Sequence, residues 1–416
     1  MQKVKYLILG AGISGLTFAT LKRQEDYLII EKSNKAGGLC KSFYENEYVW
    51  DVAGHFFHFH SEETKKYYIE LMNGVEQKNV KKCAKVYYSE KMMDAPFQFN
   101  IHQLKTKEFI ECLTDLYFAH SGDSAENFEE YVKCKYGNGI ANKFLIPYNE
   151  KLYACKMNEL EKNSMGAFLP KLDFCSLMNY YRMDNNLNGK TYNDFFMYPV
   201  NGCMEVINSL MKKLDKEKIK LGEKVIEIDA DKKEVVTDRE IYNYEYLISS
   251  VPLSTFIECE KGKKENILNW NKVLVLNIGF DRPSIDRNVS WIYFPGGEIF
   301  YRVGFYNNIA GTQKLSIYVE IGYSKEEEID IEYAFKQTIN DLKKVGIIGD
   351  HNVDSWQPYI IDPGYVHITT ECTSMINNYM SKMKEKNVYM IGRYARWEYS
   401  AMDDSFEQAF KLNKEI

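Results

Sequence analysis

Val4-Lys5-Tyr6-Leu7-Ile8-Leu9 runs directly into Gly10-Ala11-Gly12-Ile13-Ser14-Gly15, and 21 positions after Gly10 the chain reaches Glu31. The pattern predicts a buried β-strand, a glycine turn, a helix and, at Tyr27-Leu28-Ile29-Ile30, a second strand ending in an acid. Together these form one βαβ unit for gripping a dinucleotide. Each glycine has its own expected task. Gly10 allows the tight turn, Gly12 lets the backbone approach a pyrophosphate, and Gly15 lets the helix pack closely on the strand. The helix N-terminus offers free N–H groups and a positive dipole end to the diphosphate. Glu31 is placed to accept from ribose hydroxyls and would repel a 2′-phosphate, which disfavours NADP.

Length and composition limit the rest. With 416 residues the chain can build about two or three domains with full cores. Its 45% hydrophobic and 27% charged residues describe an ordinary globular protein. A net charge of −6 argues against nucleic acid as a partner. Nine cysteines, an odd number with no CxxC pair, are expected to be reduced thiols in a cytoplasm. No apolar stretch approaches the roughly 20 residues that span a bilayer, so a soluble, cytoplasmic protein is expected.

Beyond Glu31, the stretch Lys32-Ser33-Asn34-Lys35-Ala36-Gly37-Gly38-Leu39-Cys40-Lys41-Ser42 carries a glycine pair, which again signals close backbone approach. It resembles the second glycine motif of the flavoprotein class that includes amine oxidases, protoporphyrinogen oxidases and UDP-galactopyranose mutases. That resemblance implies FAD rather than NAD. It also implies an α/β fold, in which a discontinuous Rossmann-like FAD-binding domain (1–60, 196–255 and 385–416) carries a helical insertion (100–190) and an antiparallel-sheet substrate domain (61–99 and 256–384). The local patterns agree with that division. Helical spacing runs from His102 to about Cys155, an amphipathic helix follows the turn at Tyr198-Pro199-Val200-Asn201-Gly202, and residues 255 to about 380 are rich in alternating strands with one helix near Ile331 to Val345.

Four distant segments resemble UDP-galactopyranose mutases more than other members of the class. Ala53-Gly54-His55-Phe56-Phe57-His58 is similar to a Gly-Ala-His-x-Phe-His pattern that lies against the flavin, with its first two residues exchanged. Tyr148-Asn149-Glu150-Lys151-Leu152-Tyr153 resembles Tyr-Thr-Glu-Lys-x-Trp of the nucleotide-sugar pocket. Phe300-Tyr301-Arg302-Val303 is similar to the strand bearing a diphosphate-binding arginine, and Gly392-Arg393 with Tyr399, Met402 and Asp403 resembles the C-terminal signature. The resemblance implies chemistry in which reduced FAD attacks the anomeric carbon of a nucleotide sugar and the ring recloses as a furanose. It gives His55, Arg302, Arg393, Tyr148 and Tyr399 catalytic roles. It assigns Gly10, Gly12, Ile13, Ser14, Gly15, Glu31, Lys32, Gly37, Gly38, Leu39, Cys40, Gly54, His55, Phe56, Val225, Gly392, Arg393, Tyr399, Met402 and Asp403 to FAD. Tyr148, Asn149, Tyr153, Tyr198, Asn201, Arg302 and Tyr399 fall to the substrate.

The substrate end departs from that family. Pro170-Lys171-Leu172-Asp173-Phe174 does not reproduce its Arg-rich helix, Tyr153 replaces a stacking tryptophan, and Val200-Asn201-Gly202 replaces a Pro-x-Gly-Gly type turn. An oxidoreductase of the amine oxidase or protoporphyrinogen oxidase type is the competing expectation, and flavin binding without catalysis a third. His55-x-x-His58-x-His60 suits a metal by residue type, but ligation needs further partners and convergent geometry, so no metal is expected. The motifs name neither the sugar, the nucleotide nor an oligomeric state.

Overall fold

Tyr6 and Ile8 point to one side of a strand and Leu7 and Leu9 to the other, so a run apolar at every position must be covered on both faces. In the computed structural model, which describes residues 2–166, 169, 172–182 and 194–416, it is. Strand Gln2–Leu9 lies inside a seven-stranded sheet whose parallel members run in the order Ile219–Leu221, Tyr27–Glu31, Gln2–Leu9, Ile241–Ser249 and Val388–Met390. The antiparallel hairpin Val225–Asp229/Glu234–Thr237 extends it from the start of Ile241–Ser249. Helices Ile13–Leu21, Met204–Met211 and Met402–Glu415 bury Leu16, Phe18, Val206, Leu210 and Phe406 with Tyr6 and Ile8. On the other face Phe256, Ile257, Ile376 and Met383, from helices Leu253–Lys261 and Thr370–Glu385, pack with Leu7 and Leu9.

A second, eight-stranded sheet follows the order Val353–Ile361, Asn269–Pro283, Lys314–Ser324, Arg302–Phe305, Trp291–Tyr293, Ala84–Tyr88 and Lys91–Asp94, with Val366–His367 also paired to the long strand. It is antiparallel except at one seam, where Ala84–Tyr88 runs parallel to Trp291–Tyr293. The expectation of an antiparallel sheet is corrected there. Strands this far apart in sequence are joined by a long crossover, which frees their relative direction from the hairpin constraint. Helix Ile331–Lys344 covers one face through Ala334 and Leu342, packed on Val303, Ile317 and Val319. The opposite face turns toward helices Thr106–Tyr117, Phe128–Ile140, Ile146–Tyr153 and Phe174–Arg182, and Tyr318, Tyr301 and Trp291 share a core with them. Pro170, Lys171 and positions 183–190 of the expected insertion lie outside the described residues. Among the described residues no helix is long and apolar enough to cross a membrane, and all nine cysteines are free thiols.

Candidate active site

The carboxyl ends of the parallel strands bring the glycine turn, Glu31, Ser250 and Gly392 to one edge of the sheet, where dinucleotides bind in open α/β folds. The glycines divide the work as their positions predict. Gly10 has φ +98°, and a Cβ on Gly15 would stand 2.2 Å from the Gly10 carbonyl oxygen. A Cβ on Gly12 would meet nothing nearer than the Gly38 Cα at 4.0 Å. Gly12 therefore faces open space at the start of helix Ile13–Leu21, whose N-cap makes no side-chain hydrogen bond. That combination of free amides and clearance fits the pyrophosphate of FAD. The Glu31 carboxylate is fixed at the strand end by the backbone N–H groups of Ala11 (2.9 Å) and Ser33 (2.8 Å). The Gly222 and Glu223 amides donate to Ser33 and Glu31 carbonyls, which brings the segment before Val225 alongside.

The histidine segment is held by a buried acid. Asp51 accepts from Ser42 Oγ (2.6 Å), Tyr198 Oη (2.9 Å) and the Cys203 amide (3.0 Å), tying strand Tyr48–Asp51 to the N-terminus of helix Met204–Met211. Burial outweighs these donors and pushes its carboxyl up to about 6. Beyond it, Ala53 adopts φ +82°, a left-handed conformation that favours glycine. The glycine sits one place later because a Cβ on Gly54 would fall 2.4 Å from the Tyr318 hydroxyl. His55 follows, with Nδ1 3.3 Å from the Ala53 carbonyl. A carbonyl only accepts, so Nδ1 carries the hydrogen and Nε2 keeps its lone pair. Burial, aided by the charges of Arg393 and Arg302, pushes His55 down to about 4, so the ring is neutral near pH 7.

Across the second sheet Tyr293, Arg302 and Glu320 form a single row on three adjacent strands. Arg302 forks onto Glu320 through Nε to Oε2 and Nη2 to Oε1 (2.7 Å). Helix Ile146–Tyr153 lays Tyr148 edge-on against Tyr293 (5.3 Å between ring centres) and Tyr301 (6.2 Å). Tyr153 meets Tyr365 at 5.5 Å, and Tyr365 stacks on Tyr399 at 5.6 Å. The Arg393 guanidinium lies 4.7 Å from the Tyr399 ring centre and 5.0 Å from that of Tyr365. Its Nη1 donates to the Ser400 carbonyl (3.1 Å), while Nε is buried without a partner. Among the described residues Arg393 has no carboxylate within ion-pair distance. Burial pushes the phenols of Tyr148, Tyr153 and Tyr399 up, so they remain O–H donors. Two arginines, one carboxylate and a neutral histidine leave this constellation with a net positive charge.

The structure thus gathers His55, Tyr148, Tyr153, Arg302, Arg393 and Tyr399, which the sequence places far apart. Two expected substrate residues stand elsewhere. The Tyr198 hydroxyl is consumed by Asp51, and Asn201 is exposed in the turn, its carbonyl accepting from Tyr44. Asn149 is buried, with Nδ2 on the Leu145 carbonyl (2.6 Å) and Oδ1 without a partner. Phe56 stacks on Trp291 (5.6 Å), and the Cys40 thiol is buried. Asp403, 2% exposed, accepts through Oδ2 from the His60 amide and Nδ1, and its Oδ1 has no partner. Neither His55 nor His58 joins His60, Asp403 and Asp404, whose donor atoms lie within 4.8 Å of one another. Sequence reading missed Tyr293, Tyr318, Glu320 and Tyr365. Only Glu320 left a signal, as an acid inside the apolar run Ile317-Tyr318-Val319-Glu320-Ile321.

A family model described as flavin-containing amine oxidoreductase matches residues 13–412. Among solved structures, the chain is similar to a reduced UDP-galactopyranose mutase, with TM-score 0.90 and 23% identity over 100% of this chain and 94% of that one. It is also similar to an Exiguobacterium sp. protein assigned as a protoporphyrinogen oxidase (TM-score 0.74, 14% identity, 100% and 98% covered). A third is cyclohexylamine oxidase from Brevibacterium oxydans (TM-score 0.68, 12% identity, 99% of each chain). At these identities the likeness is one of fold.

Proposed function

Because the chain belongs to the flavin-containing amine oxidoreductase family, with FAD as its cofactor, we propose that it is a mutase interconverting the pyranose and furanose forms of a nucleotide sugar for surface-polysaccharide assembly. The observation that carries this reading is Arg393, a guanidinium inside the protein with an unpaired Nε and no carboxylate partner among the described residues. A half-buried guanidinium whose Nε is buried in that state calls for an anion. Arg302 adds to it: the fork on Glu320 uses two of its five N–H donors and leaves three for a ligand. A sugar diphosphate supplies such an anion. A protonated amine, the substrate of an amine oxidase, would enter a site of its own charge sign.

When bound and reduced, the flavin supplies a nucleophile at N5 for the anomeric carbon. The chain's residues do the rest. Arg302 and Arg393 take up charge that develops on the departing diphosphate, and their fixed forks need no reorganisation as it develops. Tyr148 and Tyr399 donate O–H bonds to the same oxygens. His55 presents an uncharged ring whose Nε2 lone pair would be free to accept a hydrogen bond from the bound cofactor.

The test is to incubate the dithionite-reduced, FAD-loaded protein with UDP-, GDP- and dTDP-sugars and analyse for furanose products. Furanose should accumulate without net consumption of reductant. Steady peroxide formation or stoichiometric NAD(P)H consumption, with no furanose, would replace this reading by a net oxidation.

A further inference from the structure

Helix Ile146–Tyr153 presents Tyr148 and Tyr153 to the arginine–tyrosine cluster, but it also carries Lys151, half-buried and turned to the second sheet. The Lys151 ammonium donates to three backbone carbonyls, those of Phe294 (2.9 Å), Gly296 (3.0 Å) and Phe300 (2.6 Å). An ammonium has three N–H donors, so one short loop takes them all. That loop joins strands Trp291–Tyr293 and Arg302–Phe305, and its two ends are therefore Tyr293 and Tyr301-Arg302. It is braced as one piece: the Phe294 amide donates to the Tyr301 carbonyl (2.9 Å), and the Phe294 and Phe300 rings meet at 4.8 Å.

We propose that Lys151 is a positioning residue, a latch that fixes the 294–300 loop to helix Ile146–Tyr153 and so holds Tyr148 in register with Tyr293 and Arg302 for the substrate diphosphate. The inference rests on the reading of this cluster as the nucleotide-sugar site. Its physical logic lies in what the latch connects. Tyr148 comes from a helix, Tyr293 and Arg302 from a hairpin, and Lys151 is the charged side chain that ties one to the other. A methionine of similar length would fill the same space without the desolvation cost, so what the lysine adds at this place is its donors. Burial pushes its ammonium down to about 8 against the opposing carboxylates of Glu298 and Asp341. The latch is therefore full at neutral pH and weakens as the nitrogen loses its proton, which leaves two uncharged N–H groups for three carbonyls. The neighbouring phenols of Tyr148, Tyr293 and Tyr301 are pushed up and His55 down to about 4, so none of these titrates in that range.

The experiment compares FAD-loaded wild type, Lys151→Met and Lys151→Arg by two readouts. One is amide hydrogen-exchange protection across residues 291–303. The other is kcat and KM for UDP-galactopyranose with dithionite-reduced enzyme from pH 6.5 to 9.5. In Lys151→Met, FAD content should stay normal, protection of the Phe294 and Tyr301 amides should fall at least tenfold, and KM should rise at least tenfold. Lys151→Arg, a planar fork facing three carbonyls, should recover only part of this. In wild type KM should climb and protection should fall through about pH 8, while both stay level in Lys151→Met. Unchanged protection in the methionine variant, or wild-type KM and kcat with only a lower Tm, overturns the latch. If Lys151→Met does not fold, the wild-type pH dependence decides, and a level profile through pH 8 overturns it. No turnover by wild type on any nucleotide sugar brings down the functional reading instead, and the protection factors then decide the latch alone.

Discussion

Arg302 and Glu320 stand directly opposite each other on adjacent antiparallel strands, with their side chains 21% and 3% exposed. The pair has two consequences. It aims the planar fork of Arg302 and leaves its outer N–H groups available, and it makes the arginine part of the structural interior as well as of the site. Arg393, beside the stacked rings of Tyr365 and Tyr399 and with no carboxylate within ion-pair distance among the described residues, lacks that second role.

The two arginines should therefore fail differently. Arg393→Ala should lower kcat/KM by about 10²–10³ with little change in Tm, because it removes an oxyanion donor and strands no charge. Arg302→Ala should lose comparable activity and also about 3 kcal/mol of stability, because Glu320 is left buried and unpaired. The Arg302→Ala/Glu320→Ala double variant should regain stability but not turnover. Kinetics, flavin content and melts on the three variants check this; equal stability losses in the two single variants would contradict the assigned difference.

Gly12→Val should fold yet purify colourless. Its Cβ would meet no protein atom closer than the Gly38 Cα at 4.0 Å, but the side chain would fill the space left for the pyrophosphate. Far-UV circular dichroism beside the flavin absorbance separates the two effects, and a yellow valine variant would count against this placement of FAD.

Ala53 and Gly54 offer a stability test inside the histidine segment. Ala53→Gly should stabilise the protein by about 1 kcal/mol by relieving a left-handed alanine at φ +82°. Gly54→Ala should destabilise it, since the added methyl would collide with the Tyr318 hydroxyl at 2.4 Å. Urea unfolding of both variants measures the two signs, and a stabilising Gly54→Ala would refute the packing argument.

Asp51 predicts a pH dependence whose sign is fixed by its direction of shift. Its carboxyl is raised to about 6 in the folded protein from its ordinary 3.8. The folded state thus holds this proton more tightly than the unfolded chain does. The contribution is full below about pH 4 and is lost as pH rises through about 6, a change on the order of 3 kcal/mol. Asp51→Asn removes the titration, so the wild-type minus variant difference in unfolding free energy should decline between pH 4 and 7. A difference that is constant over that range would show that Asp51 ionises as freely in the fold as outside it.

What the sequence determined by itself is the chemistry of contiguous units. Gly10, Gly12, Gly15 and Glu31 belong to one βαβ unit, where spacing along the chain is spacing in space, so the turn, the clearance at Gly12 and the acid at the strand end were all legible. Hydrophobic period made helix Ile331–Lys344 legible in the same local way, whereas helices Leu253–Lys261 and Thr370–Glu385, in a stretch read as strands, were not. Tertiary structure alone decided who faces whom. That Arg302 is paired with Glu320, that Tyr365 stacks on Tyr399 and meets Tyr153 edge-on, and that Tyr198 gives its hydroxyl to Asp51 all depend on strand register and on helix packing across long loops. A one-residue slip in register would turn every side chain of a strand to the opposite face, and no local pattern encodes that choice when tyrosines occupy both faces. The glycine exchange at Ala53-Gly54 shows the limit clearly: it reads as a motif defect in one dimension and as room for the Tyr318 hydroxyl in three.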